Sequence, residues 1–459
     1  MGTAASASSH RAQRILEHLL KGASSAAEVC RALGISQASF SRSIQDLQQR
    51  PDGKLLVLPK VGGARAPLYA LARQLPRCEA VVPVHRVDAA GRVAQIGFVA
   101  MLHPRGSATL RDGAARLYDG LPPELHHAAP SGFIGRRLAS ASHAELGLPP
   151  NLKDWNDDHR MVFLCNRSPD VPGNLVFGNE SLTHMLMRRA TPAHAADARS
   201  TVFPTLALLS ATESAGTSSA GGEQPKFSVE MEDTGHVLVK YAKAGTRMAD
   251  LLRLEHLALR ALDEHGVAAA TTWLHHHQDL VFLEVQRFDR VGRSGRLGVI
   301  SAGAYDDEYF GSRDNWADFA RRLVKAGALS EPHARPIRVL QAFSQLIGNT
   351  DTHFENLSLM LDDSGQVAKV APAYDMLPMC YAPGSASGID PALDPVRPSI
   401  GRIGPEPAVW GVAARAALRF WSRASEEAGL SEAMRAVARL NHAQVQSFVE
   451  PLVPPSAPT

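Results

Sequence analysis

The feature that most constrains this 459-residue chain is an aspartate followed by an asparagine five residues later, and by a second aspartate 19 residues after that. These residues are Asp351, Asn356 and Asp375. Between Asn356 and Asp375, residues 357–370 contain two short apolar runs joined by Asp-Asp-Ser-Gly, a pattern that predicts a β-hairpin. A hairpin would bring Asp375 back towards Asn356, and oxygen ligands of this kind suit Mg²⁺. The sequence therefore predicts a magnesium site made by Asn356 and Asp375.

The spacing of Asp351 and Asn356 is also that of a protein-kinase catalytic loop. In such a loop the aspartate accepts the proton of the attacking hydroxyl, and the asparagine turns back to hold a metal ion beside the phosphates. Taken without the rest of the chain, Asp351, Asn356 and Asp375 could also form a hydrogen-bonded polar turn or a metal site of another kind. In this order and spacing they predict transfer of phosphate from ATP.

A family resemblance extends through most of residues 80–445. The text GN-T-D-x-H-x-x-N-x-S around Asp351, with the later Tyr-Asp-Met-Leu, resembles the HipA-like serine/threonine kinases of bacterial toxin–antitoxin systems. Four further segments are similar to motifs of that family: Leu-Pro-Pro-Glu at 121–124, Gly-Gly-Glu-Gln-Pro-Lys at 221–226, Val-Leu-Val-Lys at 237–240 and Gln-Arg-Phe-Asp-Arg at 286–290. Glu355 departs from the family pattern, because relatives usually carry Lys before the metal-binding asparagine.

The resemblance implies a role for individual residues. Lys240 would hold the α- and β-phosphates, with Glu255 on the next helix as a weaker candidate partner. Asp351 would be the catalytic base, and Asn356 and Asp375 the metal ligands. Further contacts to the nucleotide would come from the glycine-rich loop, the segment between the lobes and the catalytic loop: Gly221, Gly222, Gln224, Lys226, Gln286, Phe288 and His353. His353 is expected to brace the catalytic loop by hydrogen bonding rather than to act as an acid or base.

The same resemblance points to a serine that family members autophosphorylate in the glycine-rich loop. Ser219 aligns best with it, and Ser218 lies beside it. A phosphate there would add about two negative charges where the nucleotide phosphates must sit, so it would inhibit the enzyme.

The N-terminal segment has a different character. Residues 10–77 contain eleven Lys or Arg and four Asp or Glu, a local charge of +7, whereas the whole chain carries +2. Two short helical patterns separated by Gly34, followed by two strand-like runs and a basic turn, resemble a winged helix-turn-helix. The predicted DNA contacts lie on the second helix and on the wing: Ser39, Ser41, Arg42, Gln45, Lys60 and Arg65. The alternative is a winged helix that serves only protein contact or dimerisation.

Together these features predict an α+β fold: a protein-kinase-like, two-lobed HipA fold with a mixed α/β N-lobe and a helical C-lobe, preceded by a small winged helix-turn-helix domain. The predicted parts are a disordered N-terminus at 1–9, the DNA-binding domain at 10–77, the N-lobe at 80–290 with its glycine-rich loop at 217–226, and the C-lobe at 291–450. The apolar run 161–165 is predicted as a strand, and the histidines 275–277 as a solvated loop.

The predicted surroundings and partners follow from these features. No apolar run approaches the roughly 20 residues that span a bilayer, and no secretory signal is apparent, so the expected location is the cytoplasm without membrane contact. The expected cofactors are ATP and Mg²⁺. The resemblance implies a protein substrate in the translation apparatus, such as an aminoacyl-tRNA synthetase, and in most relatives a separate antitoxin. The N-terminal segment adds double-stranded DNA and a second copy of the chain as partners.

Two other functions remain compatible with the sequence. A DNA-binding transcriptional regulator could use a degenerate kinase fold as an ATP sensor. A magnesium-dependent DNA nuclease would also combine acidic metal ligands with a DNA-binding segment.

Overall fold

The computed structural model describes residues 2–50, 54–167, 170–214, 224–384 and 388–453. These residues form two compact units. The first comprises the described residues up to Asp88 together with Arg92–Ala129 and Ser142–Thr191. The second comprises Ala89–Gly91, Pro130–Ala141 and the described residues from Pro192 onward. The segment predicted as one N-lobe, residues 80–290, is therefore divided between the two units.

The first unit begins with three helices and a small sheet: α1 (Gly2–Leu19), β1 (Ser24–Ser25), α2 (Ala26–Leu33), α3 (Gln37–Gln48), β2 (Leu55–Leu58) and β3 (Leu68–Leu71). Ser25 caps α2, and Glu28 reaches back to the Ser25 N–H at 2.7 Å, which completes a capping box. Gly34 ends α2 with φ +66°, a conformation that glycine adopts at little cost. The helices and strands predicted between residues 26 and 72 are thus confirmed, whereas α1 extends through the segment predicted to be disordered.

An antiparallel five-stranded sheet and four helices follow in the chain: β4 (Val82–Val87), β5 (Val93–Met101), β6 (Ser107–Arg111), β7 (Ala114–Tyr118), α4 (Pro123–Ala128), α5 (Gly132–Leu146), α6 (Asp157–Arg167), β8 (Leu175–Phe177) and α7 (Asn179–Ala190). The strand order is β7-β6-β5-β4-β8. The strand predicted at 161–165 is wrong, because these residues lie in α6. All five are buried, so the run lacks the alternation that would have separated strand from helix.

The two sheets of the first unit share an apolar core. Leu58 and Ala70 from the N-terminal sheet pack in one buried cluster with Ala100 and Ala108 from the five-stranded sheet. The Arg73 guanidinium binds both oxygens of Asp158 at 2.6 Å. The N-terminal module is therefore built into this unit rather than tethered to it.

The second unit begins with one helix, a four-stranded antiparallel sheet and the helix that packs on it: α8 (Arg199–Ser214), β9 (Lys226–Met231), β10 (Gly235–Lys243), α9 (Arg247–Glu264), β11 (Thr272–His277) and β12 (Leu280–Gln286). The strand order is β11-β12-β10-β9. The predicted solvated loop at 275–277 is wrong. These histidines belong to β11, and His275 Nε2 lies 2.7 Å from the buried carboxylate of Glu284.

The remainder of the second unit is mostly helical: β13 (Arg290–Val291), β14 (Gly295–Arg296), β15 (Gly298–Ser301), α10 (Ala302–Tyr309), α11 (Trp316–Lys325), α12 (Glu331–Ile347), β16 (Ser358–Leu361), β17 (Val367–Val370), α13 (Pro407–Glu426) and α14 (Glu432–Val449). The hairpin predicted between Asn356 and Asp375 is present as β16 and β17. One large core joins α9 to α10–α14. This arrangement confirms the predicted α+β class with a sheet-containing lobe and a helical lobe. None of the helices in the described parts of the chain could cross a membrane.

A buried ion-pair network stabilises the sheet-containing lobe. Glu284 on β12 has no exposed side-chain surface, and both its oxygens accept hydrogen bonds from Arg199, at 2.8 and 2.9 Å. Thr234 and His275 bind the same carboxylate. Burial alone would raise the pKa of Glu284, but the hydrogen bonds from His275 and Arg199 lower it to about 2.

Replacing Arg199 with methionine keeps an apolar stem but leaves the Glu284 carboxylate buried without its main cation. We expect the free energy of unfolding to fall by about 3–5 kcal/mol, measured by guanidinium chloride denaturation at neutral pH. The matched control is Arg260→Met, which removes an exposed pair with Glu264 at 3.8 Å and should cost less than about 1 kcal/mol. Equal losses in the two variants would contradict this account of the network.

The Glu284 pKa also predicts how stability responds to acid. Because its folded-state pKa of about 2 lies below the ordinary value of 4.5, its contribution is complete above the ordinary value. That contribution is lost as the pH falls towards 2. Denaturation midpoints of the wild type and of Glu284→Gln should therefore converge as the pH falls through this range. A constant difference between the two would show that ionisation of Glu284 contributes no stability.

Candidate functional site

Lys240 lies within the second unit, inside β10 rather than at its end, and is flanked by the buried residues Val239 and Tyr241. Its side chain is 6% exposed, and its Nζ donates to both oxygens of Glu255 at 2.7 and 2.8 Å. Glu255 projects from the buried face of α9, whose first turn is capped by Thr246. Lys240 also contacts the Asp375 carboxylate directly. Burial would lower the Lys240 pKa, but the two carboxylates raise it, so the ammonium stays charged.

Asp375 follows the hairpin β16–β17 at a constrained point of the chain. Its φ is +53°, which is uncommon for a residue with a Cβ. Two residues earlier, the backbone of Ala373 binds Ala268 and Ala270, at 2.8 and 2.9 Å, beside the lobe that carries Lys240. Burial would raise the Asp375 pKa, but Lys240 and Lys226 lower it to about 2. Asp375 therefore remains a carboxylate, as its predicted role in binding a metal ion requires.

The predicted catalytic loop begins where α12 ends at Gly348, which has φ +73°. The Asn349 side chain accepts the Asp351 N–H at 3.0 Å, an Asx turn that holds the start of the loop. At its end, Asn356 Nδ2 donates to the Asp351 carbonyl at 3.0 Å and to Asp351 Oδ2 at 3.3 Å. These bonds use the amide N–H₂ of Asn356, so its side-chain oxygen is the atom that could coordinate the predicted metal ion.

His353 connects the predicted catalytic loop to its surroundings. Its carbonyl accepts the Asn356 N–H at 3.1 Å and the Trp316 indole N–H at 3.3 Å. Its ring lies 3.6 Å from Asp351 and 3.5 Å from Glu355. Glu355 raises the pKa of His353, burial opposes this, and Asp351 adds to the increase. The bracing role of His353 stays a prediction, and these are the contacts that would serve it.

Tyr374, the residue before Asp375, connects the Lys240–Asp375 pair to the loop from Asp351 to Asn356. Its hydroxyl donates to the Glu355 carbonyl at 2.7 Å and shares a 2.7 Å hydrogen bond with Ser358. The charge of His353 also lowers the pKa of Asp375. The structure thus brings Lys240, Asp351 and Asp375, together with Asn356 and His353, into one region of the second unit.

The other residues predicted to contact the nucleotide differ in where they lie. Lys226 lies opposite Lys240 in the β9–β10 register, and Gln224 donates its side-chain N–H to the Tyr241 carbonyl. The backbone N–H of Gln286 already donates to Thr271 at 2.9 Å, so it is not available to an adenine ring. Phe288 packs against Tyr374 with ring centroids 5.7 Å apart. Four predicted residues lie outside the described residues: Ser218, Ser219, Gly221 and Gly222.

The donor set fits Mg²⁺ held partly by phosphate. Among the described residues, no group of three or more His, Cys, Asp and Glu side chains could hold a metal ion. Asn356 and Asp375 supply one amide oxygen and one carboxylate. Because Mg²⁺ is commonly bound by one or two carboxylates together with substrate phosphates, this small set suits a nucleotide-bound ion.

Sequence reasoning missed several residues at the site. Glu355 accepts a hydrogen bond from Arg313, which lies 42 positions earlier in the chain. The hydrogen bond with His353 lowers the pKa of Glu355 to about 2, with burial opposing and Arg313 contributing. Asn349 could have been found from the Asn-Thr-Asp pattern, which is typical of an Asx turn. No local signal points from Glu355 to Arg313.

The residues predicted to bind DNA lie in the first unit. Ser41, Arg42 and Gln45 are exposed on α3. Ser39 is half-buried, and its N–H donates to the Ser36 hydroxyl that caps the helix. Lys60 and Arg65 are both exposed in the segment between β2 and β3.

Comparisons with known proteins agree with this division of the chain. Residues 78–186 match the family described as the YjjJ-like toxin, middle domain, and residues 218–447 match the HipA-like C-terminal domain. The protein "Toxin YjjJ" of Escherichia coli (strain K12) is 32% identical over 432 residues, which cover 92% of this chain and 94% of that protein.

Two solved structures are similar in fold. HipA of Shewanella oneidensis MR-1, from a complex with HipB and operator DNA, aligns over 81% of this chain and 97% of its own, with 14% identity and a TM-score of 0.46. The Helicobacter pylori proinflammatory kinase CtkA aligns over 49% and 92%, with 12% identity and a TM-score of 0.35. Both scores are low, so the assignment rests on the sequence matches. On those matches, the chain belongs to the HipA-like toxin family, in the group that includes YjjJ.

Proposed function

We propose that this protein is an ATP-dependent serine/threonine protein kinase. The observation that carries the proposal is the constellation in the second unit: a buried lysine held by two carboxylates, next to a loop in which Asn356 binds Asp351. Protein kinases use this set of groups, a strand lysine paired with a helix glutamate and two metal-binding side chains. Membership of the HipA-like family supports the same function.

The groups divide the work by their positions. Lys240 would bind the nucleotide phosphates, because its ammonium is charged and oriented by Glu255 on the neighbouring helix. Asp351 is 45% exposed, so its carboxylate can receive the proton of an approaching serine or threonine hydroxyl. Mg²⁺ at Asn356 and Asp375 would neutralise charge on the phosphates. The protein would act mainly by positioning and electrostatic stabilisation.

The contact between Lys240 and Asp375 has a consequence for nucleotide binding. In the nucleotide-free protein each group is a counter-ion of the other. In the proposed complex, Lys240 would bind the phosphates and Asp375 the metal ion. ATP with Mg²⁺ would replace this contact with two new ones, lysine to phosphate and aspartate to metal. Because both groups keep a counter-ion throughout, neither charge is left buried and unpaired.

Asp351→Ala removes the proposed base but leaves the nucleotide-binding groups in place. We expect purified wild-type protein to incorporate label from γ-labelled ATP, and the variant to lose this activity by about a hundredfold or more, while its affinity for ATP changes little. Lys240→Met is the complementary variant, which should lose ATP affinity. Labelling by Asp351→Ala at the wild-type rate would exclude Asp351 as the base.

The same assay separates the two other functions. Wild-type protein that binds ATP without transferring label, and whose DNA affinity depends on the nucleotide, would be an ATP-sensing regulator. Magnesium-dependent cleavage of DNA in the absence of ATP would indicate a nuclease. Either result would replace the kinase proposal.

We further propose that the N-terminal module is a winged helix-turn-helix that binds double-stranded DNA. Its support is the order α1, α2, α3, β2, β3 with the small antiparallel sheet, and the exposed polar face of α3. The exposed wing residues Lys60 and Arg65 would contact phosphates, and Arg42 would reach base edges in the major groove. The Ala115 N–H donates to the Pro59 carbonyl at 2.9 Å, so β7 holds the base of the wing.

Arg42→Ala combined with Lys60→Ala removes one proposed base contact and one proposed phosphate contact. We expect affinity for genomic DNA fragments to fall by about tenfold or more, and the dependence of affinity on salt concentration to become shallower. Arg435→Ala together with Arg439→Ala, on α14 of the second unit, is the control with the same loss of charge. Unchanged affinity in the first variant would exclude this placement of the DNA.

The relative named as a toxin suggests the biological setting. We infer that phosphorylation by this protein restrains growth, with a component of the translation apparatus, such as an aminoacyl-tRNA synthetase, as its substrate. A DNA-binding module in the same chain would allow the protein to regulate its own gene, with or without a separate antitoxin. Phosphopeptide mapping after brief expression would identify the substrate.

A further inference from the structure

Arg313, in the turn between α10 and α11, is held in an unusual backbone conformation. Its φ is +40°, a value that residues with a Cβ rarely adopt. The N–H groups of Ser312 and Arg313 donate to Asp306 Oδ2 at 2.7 and 2.8 Å, and Arg322 donates to the other Asp306 oxygen at 2.8 Å. Asp306 is fully buried. The surrounding structure therefore over-determines a conformation that the turn would not choose by itself.

The Arg313 guanidinium is oriented by a second carboxylate. Its Nε and Nη2 donate to the two oxygens of Asp307 at 2.7 and 2.6 Å. This fork-to-fork pair fixes the plane of the guanidinium. The remaining nitrogen, Nη1, donates to Glu355 Oε1. Arg313 thus reaches the predicted catalytic loop from a different part of the chain.

Gly303, in the first turn of α10, shows how closely Glu355 is packed. A Cβ at position 303 would lie 2.3 Å from Glu355 Oε1 and 2.9 Å from Arg313 Nη2. The Glu355 carboxylate therefore rests against the N-terminal turn of a helix, where a negative charge is favourable. Arg313 supplies a hydrogen bond and Gly303 leaves the space, so together they bind the Glu355 carboxylate.

Glu355 connects Arg313 to the predicted catalytic loop. It precedes Asn356, its side chain lies 3.5 Å from His353 Nδ1, and its carbonyl accepts the Tyr374 hydroxyl. Stability does not account for the pair, since Arg313 and Glu355 are 36% and 49% exposed and such pairs contribute little free energy. The pair instead restrains the positions of the loop residues near Glu355, which include His353 and Asn356.

We propose that Arg313 is a positioning residue for phosphate transfer, acting through Glu355 to hold the loop from Asp351 to Asn356. The inference rests on the kinase function proposed above and adds a residue from outside the loop. Arg313 touches neither Asp351 nor Asn356. It sets the distance between the base and the metal ligand by anchoring the residue beside the ligand.

The test compares Arg313→Gln, Glu355→Gln and the double variant in the full-length chain. Single-turnover labelling from γ-labelled ATP should slow by about tenfold or more in each single variant, with little change in the affinity for N-methylanthraniloyl-ATP. The double variant should be no slower than the slower single variant, because the two residues act as one unit. Arg313→Lys, which keeps the charge, should recover part of the rate. Wild-type rates in Arg313→Gln, or a loss explained wholly by ATP affinity, would overturn the proposal.

A second measurement does not depend on kinase activity. Hydrogen–deuterium exchange of nucleotide-free protein should increase at residues 350–357 in Arg313→Gln. It should stay unchanged in Arg423→Gln, which removes a pair with Glu264 on α9 and α13. Unchanged exchange at the loop in Arg313→Gln overturns the positioning role even if the wild type transfers no phosphate. If exchange at the loop increases in Arg313→Gln but the wild type transfers no label, the anchoring of the loop by Arg313 is supported and only the kinase function is refuted.

Discussion

A single buried ammonium organises the second unit. Lys240 is almost completely removed from solvent, and an unpaired charge in that position would be costly. The chain satisfies it with two carboxylates from distant segments, Glu255 on α9 and Asp375 after β17. The strand, the helix and the loop after the hairpin are consequently tied to one point. Removing either carboxylate would leave the buried Lys240 ammonium with less neutralising charge, so the arrangement depends on all three groups.

The loop from Asp351 to Asn356 depends on a different kind of support. Asn349 and Asn356 hold it from within by short-range hydrogen bonds. From other elements, Trp316 and Tyr374 donate to its backbone carbonyls, and Arg313 binds the Glu355 side chain. The polar groups that face solvent are therefore positioned by residues whose own places are set by the core. A site built in this way can keep its geometry while its reacting side chains remain accessible.

Elements with a clear period or cap were predictable from the sequence. The α9 helix, the hairpin β16–β17 and the pair α2–α3 all follow from local patterns of apolar residues, turns and caps. Residues 161–165 were not predictable in this way. A short run that is buried on every side fits either a strand or a helix, and only Asp157 and Asp158 at the start of α6 indicated a helix. The histidines 275–277 were predicted as a loop because the partner of His275, Glu284, lies on the neighbouring strand and gives no local signal.

The sequence by itself determined which groups could carry the chemistry and how far apart they lie along the loop, because the reach between Asp351 and Asn356 is set by a few residues of local backbone. Only the tertiary structure decided that Lys240 meets Asp375, 135 residues away, and that Arg313 supports Glu355. Contacts of this kind come from packing and from the need to neutralise buried charge. Neither packing nor charge neutralisation produces a sequence pattern with a fixed spacing.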